Sequence, residues 1–155
     1  MITLPNDAHL HLLINHFPII GTVFGLWLII FWIYAKNKSI INAAYVFFII
    51  SSLTGFVAFY TWGLAANVVV DLEWVSRQAL RTHSEVANIV IYGIHLLWII
   101  SLFWLYINYK KKRDYLAKYV LVIAIIMTVA TSYLWHTWWL IRHTEINIPR
   151  GGLNQ

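Results

Sequence analysis

The sequence predicts an all-α integral membrane protein, a four-helix bundle with both termini on the outer (periplasmic) face. Three observations carry this expectation. Hydrophobic residues make up 61% of the 155 residues and charged residues only 11%, against roughly 25% charged in a soluble domain. Four uncharged stretches are each long enough to cross a bilayer, which takes about 20 residues of helix. Lysine and arginine also concentrate in alternate connections between those stretches, the pattern that sets orientation in a membrane. A chain of this length has room for one domain, so residues 1–155 are expected to form a single four-span unit.

The first span is expected over about 18–35, with Pro18 at the helix start, where its missing N–H costs nothing. Gly21 and Gly25 on this span form a small-xxx-small pair, which marks close helix packing, within the chain before between copies. The second span, about 40–64, lies in a segment from Ser39 to Val70 that holds no ionisable residue. The third covers about 86–109 and the fourth about 117–141, with Glu85 and Asp114 marking two of the boundaries. Only helices and closed barrels satisfy the backbone in lipid, and long apolar runs without alternation select helices.

Lys36 and Lys38 fall between spans one and two, and Lys110, Lys111, Lys112, Arg113 and Lys118 between spans three and four. The positive-inside rule places these connections in the cytoplasm and both termini outside, in a bacterial inner membrane. The net charge of +5 thus reports topology rather than a nucleic-acid partner. The outer connection, 65–85, carries Leu72, Val75 and Ala79 at helical spacing and predicts a short amphipathic helix lying in the interface. The segment around Leu10, Leu13 and Ile14 predicts another. Met1 to Pro5 lack a positive n-region, so no cleavable leader is expected.

Histidine placement carries the functional signal. His9, His11 and His16 lie at the outer end of span one, His83 at that of span three and His143 beyond span four. His136 falls about 7 Å and His95 about 14 Å below the outer ends of their spans at the helical rise. None of the seven lies at the lysine-rich end. Histidine binds copper, zinc or haem iron without help from cysteine. With no cysteine in the chain, disulfides, thiolate zinc sites, iron–sulfur clusters and c-type haem are excluded. The core of a shared metal site is expected at His16, His83 and His143, with His11, His95 and His136 as further cofactor ligands. The plain alternative is that each is an interfacial or hydrogen-bonded polar residue. Asp7, Glu85 and Glu145 each stand two residues from a histidine and could orient it. Arg81 and Arg142 could neutralise an anionic group.

The run His11-Leu-Leu-Ile-Asn-His16-Phe-Pro-Ile resembles the opening motif of the DUF2231 family of small four-helix bacterial membrane proteins. Thr-His83-Ser-Glu85-Val-Ala and Arg142-His143-Thr-Glu-Ile are similar to its start of span three and its ending after span four. The form is that of Bacteroidetes-type members. The resemblance carries over His11, His16, His83 and His143, and implies haem b or another metal and a link to respiratory electron transfer. The chain departs from the family around His136 and Thr137, where a Gly-Gly pair is replaced, and at 65–68, where an acidic run is missing.

Three functions follow as expectations. The first is a b-type haem protein transferring electrons near the periplasmic face. The second is a non-catalytic transmembrane subunit of a larger, respiratory complex, with homo-oligomers also open. The third is a histidine-bound copper or zinc protein without haem, for which His9-x-His11 supplies a metal-catching pair. An enzyme acting on quinone or lipid is a fourth, weaker expectation. No phosphate-cradling glycine loop, nucleophile elbow or HExxH helix is present.

Overall fold

The computed structural model describes residues 6–111 and 117–143, all of them helix or short connection. Among the described residues five helices occur in the order α1 (Asp7–Ile14), α2 (His16–Ala35), α3 (Lys38–Val69), α4 (Arg77–Lys111) and α5 (Ala117–Arg142). The four segments Asp7–Ala35, Lys38–Val69, Arg77–Lys110 and Ala117–Arg142 are long and apolar enough to cross a membrane. The chain is a multi-pass, all-helical membrane bundle. Helices α2 to α5 form a closed ring in which each packs on its sequence neighbours and α5 returns to α2.

Local chemistry explains the breaks. Asn6 caps α1, its side chain accepting the His9 N–H at 2.9 Å. Pro18 has no N–H to give to the Ile14 carbonyl, which interrupts the helical hydrogen bonds where α1 meets α2. Asn15 between them keeps helical dihedrals (φ −62°, ψ −20°), and α1 packs along α3 as α2 does. At the other end, Lys36 adopts the left-handed conformation (φ 51°) and Asn37 caps α3 by accepting the Ser39 N–H at 2.8 Å. Two residues thus turn the chain through a tight antiparallel hairpin.

Close approach of α2 and α3 comes from glycine. A Cβ on Gly21 would meet the Ser51 side chain, and one on Gly25 would overlap the Phe48 ring, which is fully buried. The small-xxx-small pair is therefore an intrachain contact. The core continues through Ile29, Ile41, Tyr45, Leu97, Val120 and Met127. The outer surface is apolar too, with Trp27, Ile89 and Tyr92 each more than 70% exposed, as a bilayer requires and water would penalise. Several hydroxyls on the spans are satisfied inside their own helix: Thr22, Ser51, Thr54, Thr128 and Ser132 each donate to the carbonyl four residues back.

The outer connection departs from expectation. Residues 65–69 continue α3, 70–76 form turns, and Arg77 to Glu85 begin α4. No separate helix lies flat here. Of Leu72, Val75 and Ala79, whose spacing suggested one, Leu72 is exposed, while Val75 and Ala79 are buried with Leu80 and Ile141 in a small core over the bundle mouth, backed by Trp62 and Val69. Helices α3 and α4, of 32 and 35 residues, are about 48 and 52 Å long at the α-helical rise, well beyond the roughly 30 Å of hydrocarbon.

Replacing Gly25 with leucine is expected to force α2 and α3 apart and lower stability by about 1–3 kcal/mol. Gly63→Ala, where nothing lies within 4 Å of the added carbon, should be close to neutral. Thermal unfolding of both variants in detergent micelles checks the pair.

Candidate functional site

The histidine-bearing end of the bundle holds a cavity of about 70 Å³ lined by His11, His16 and His83, together with Asn15, Trp62 and Trp138. His11 comes from α1, His16 from the first residue of α2 and His83 from the second turn of α4. The junction of α1 and α2 at Asn15 places the first two at the mouth; α3, α4 and α5 supply the walls.

Each of these imidazoles is held through Nδ1. His11 Nδ1 lies 3.1 Å from Thr61 Oγ1, and His83 Nδ1 lies 2.9 Å from Thr137 Oγ1. The direction of these bonds follows from the threonines. Thr61 Oγ1 sits 3.0 Å from the Val57 carbonyl and 3.1 Å from that of Ala58, and Thr137 Oγ1 sits 2.7 Å from that of Leu134. A hydroxyl has one proton, and a carbonyl oxygen can only accept. The threonines therefore donate to their own helices and accept from histidine, which puts the ring proton on Nδ1. His16 Nδ1 donates to the Leu12 carbonyl at 3.2 Å, one of the orphan acceptors at the end of α1. With the Nδ1 proton so engaged, Nε2 is the nitrogen of each ring left to offer a lone pair.

For His11 that lone pair is stranded. The residue is 5% exposed, and Nε2 is buried with no hydrogen-bond partner. Asn15 Oδ1, one helical turn on and lining the same cavity, is also buried and unpartnered. Two acceptors without donors in one cavity are costly unless something fills it. Aromatic rings pack the remainder: Trp62 lies 5.5 Å from the His11 ring and 4.4 Å from that of His83, and Trp138 sits edge-on to His16 at 6.2 Å.

The other predicted ligands are elsewhere. His143 stacks on Trp139 at 4.0 Å and does not line the cavity. His136 is exposed beside Tyr133, because its neighbour Thr137 takes the inward position. His95 is bonded through Nδ1 to Ser52 Oγ at 2.6 Å, deeper between α3 and α4. His9 is exposed. Glu85 pairs with Arg81 at 2.9 Å in the open, and Arg142 lies over the Trp74 ring at 5.2 Å, so neither serves the cavity. Glu145 lies outside the described residues. The threonines and Trp62 were not foreseen. Their signal is the dipeptide Thr-Trp, which stands at the histidine end of both α3 (Thr61-Trp62) and α5 (Thr137-Trp138).

The donor chemistry suits a bound metal, since ligand histidines turn their second nitrogen onto an oxygen. The space does not suit a haem. The cavity is far below the roughly 300–1,000 Å³ of sites that enclose larger ligands, and the Trp62 indole occupies the gap between His11 and His83 that a macrocycle would need. Among the described residues no three His, Asp or Glu side chains are grouped to hold one ion. A small ion here would draw its remaining ligands from water or from Asn15.

Thr61→Val should destabilise the fold by about 1–3 kcal/mol by leaving the His11 N–H unpaired, whereas Thr61→Ser should keep most of the stability; unfolding in micelles separates the two. No family model, curated protein or solved structure matches the chain.

Proposed function

We propose that the histidine end faces the periplasm of a bacterial inner membrane, and that its cavity binds a single copper ion through imidazole Nε2. The observation that carries this reading is the buried, unpartnered Nε2 of His11, aligned by the bond from Nδ1 to Thr61. His11 is the anchoring ligand. A second nitrogen comes from His83 or His16, both lining the cavity with Nδ1 turned away. Among divalent ions, nitrogen sites hold copper most tightly, and copper supplies one-electron redox chemistry. That places the chain in electron transfer at the outer membrane surface, as its resemblance to the DUF2231 family also suggests.

The protein's own contribution is fourfold. Thr61 and Thr137 fix ring orientation, the packing of α1 on α3 sets the height of His11, the tryptophans exclude bulk water, and α3 and α4 raise the site to the edge of the hydrocarbon.

Metal analysis of the full chain, purified in mild detergent from copper-supplemented cells, tests this. Stoichiometric copper is expected, with no b-haem alpha band in the reduced spectrum. His11→Ala should lose the metal, while exposed His9→Ala and His136→Ala keep it. Thr61→Val, which leaves Nε2 in place, should weaken binding by roughly 10–100-fold. A sample with no more copper than His11→Ala, or one showing a haem band, would overturn the proposal. Zinc in place of copper would remove the electron-transfer role.

A further inference from the structure

The opposite end of the bundle carries a different chemistry. There the seam between α2 and α5 opens into a groove of about 310 Å³ with Ile29, Ile33 and Leu121 along its apolar length. Its rim is formed by Lys36, at the end of α2, and Lys118, in the first turn of α5. Trp32 forms one wall, and its Nε1–H is buried without an acceptor. The Lys36 ammonium lies 5.0 Å over the Trp32 ring, and that of Lys118 lies 5.1 Å over Tyr119.

We propose that this groove holds one anionic phospholipid, with its phosphate between Lys36 and Lys118 and its acyl chains against Ile33 and Leu121. Charge complementarity points to an anion. The described acids, Asp7, Asp71, Glu73 and Glu85, all lie at the histidine end, so among the described residues these lysines face no carboxylate. The first turn of α5 also presents the positive end of its helix dipole. Trp32 supplies a buried donor suited to a phosphate or ester oxygen. The apolar groove below is what distinguishes a lipid from a free anion: a phosphate needs only the rim, whereas the acyl chains fill the seam. Basic pockets between spans on the cytoplasmic side are where anionic head groups bind.

Native mass spectrometry of the full chain released from micelles reads this directly. A retained phosphatidylglycerol or cardiolipin adduct is expected. The Lys36→Gln/Lys118→Gln double variant should weaken retention about tenfold or more, and Lys110→Gln, away from the groove, should not. Trp32→Phe keeps the ring, removes the donor and should also lower retention, which serves if the double variant fails to fold. In a parallel melt, added phosphatidylglycerol should raise the unfolding temperature where phosphatidylcholine and inorganic phosphate do not. Equal retention by wild type, the double variant and Trp32→Phe would overturn the proposal, as would equal stabilisation by phosphatidylcholine. A shift produced by phosphate alone would mark the rim as an ion site and overturn the lipid.

Discussion

An imidazole buried at the mouth of an apolar bundle persists only if its N–H finds an oxygen, and here that oxygen is a threonine hydroxyl already committed to its own helix. Thr61 gives its proton to the α3 backbone and Thr137 gives its proton to that of α5. Each is left as a pure acceptor in a medium where unpaired polar groups are expensive. That commitment fixes the tautomer of His11 and His83, and with it which nitrogen faces the cavity. Serine or threonine hydroxyls bonded back to the helix recur along these spans, but only at this end does such an oxygen also hold a buried histidine.

Packing places these groups. The glycines of α2 let Phe48 and Ser51 approach its backbone, drawing α2 and α3 together below the cavity. Helix α1 packs on α3 as α2 does, and the same antiparallel register brings His11 within reach of Thr61, fifty residues along the chain. Helix lengths matter equally: α3 and α4 outreach the hydrocarbon, so the site is built on continuous helix rather than on a loop.

The four spans were legible because hydropathy is a direct statement about the solvent. Their ends were less so. Hydropathy drops after about residue 64 and rises again near 86, yet the backbone stays helical to Val69 and resumes at Arg77. Lipid had stopped being the relevant solvent, and the small core of Val75, Ala79, Leu80 and Ile141 took over. Topology put His11, His16, His83 and His143 at one end and named His16, His83 and His143 as the core; the cavity is lined by His16 and His83, with His11 where His143 was expected. Which histidines would stay out was not legible, since one residue along a helix turns a side chain by about 100°. His136 and Thr137 differ by that step, one exposed and the other buried. Threonine is common in spans for unrelated reasons, so its role here surfaced only with the geometry.

The two histidine–threonine bonds share a property of arrangement. His11 and Thr61 belong to the first half of the chain, His83 and Thr137 to the second, so each bond closes within its own half. What crosses between the halves at this end is packing: Trp62 against His83, Trp138 against His16, and Val69 and Trp62 against the small core of Val75, Leu80 and Ile141. Each imidazole is therefore aimed by its own half of the chain. The direction of its Nε2 is set by a local polar bond, and the packing between the halves sets only how far apart the two aimed nitrogens stand.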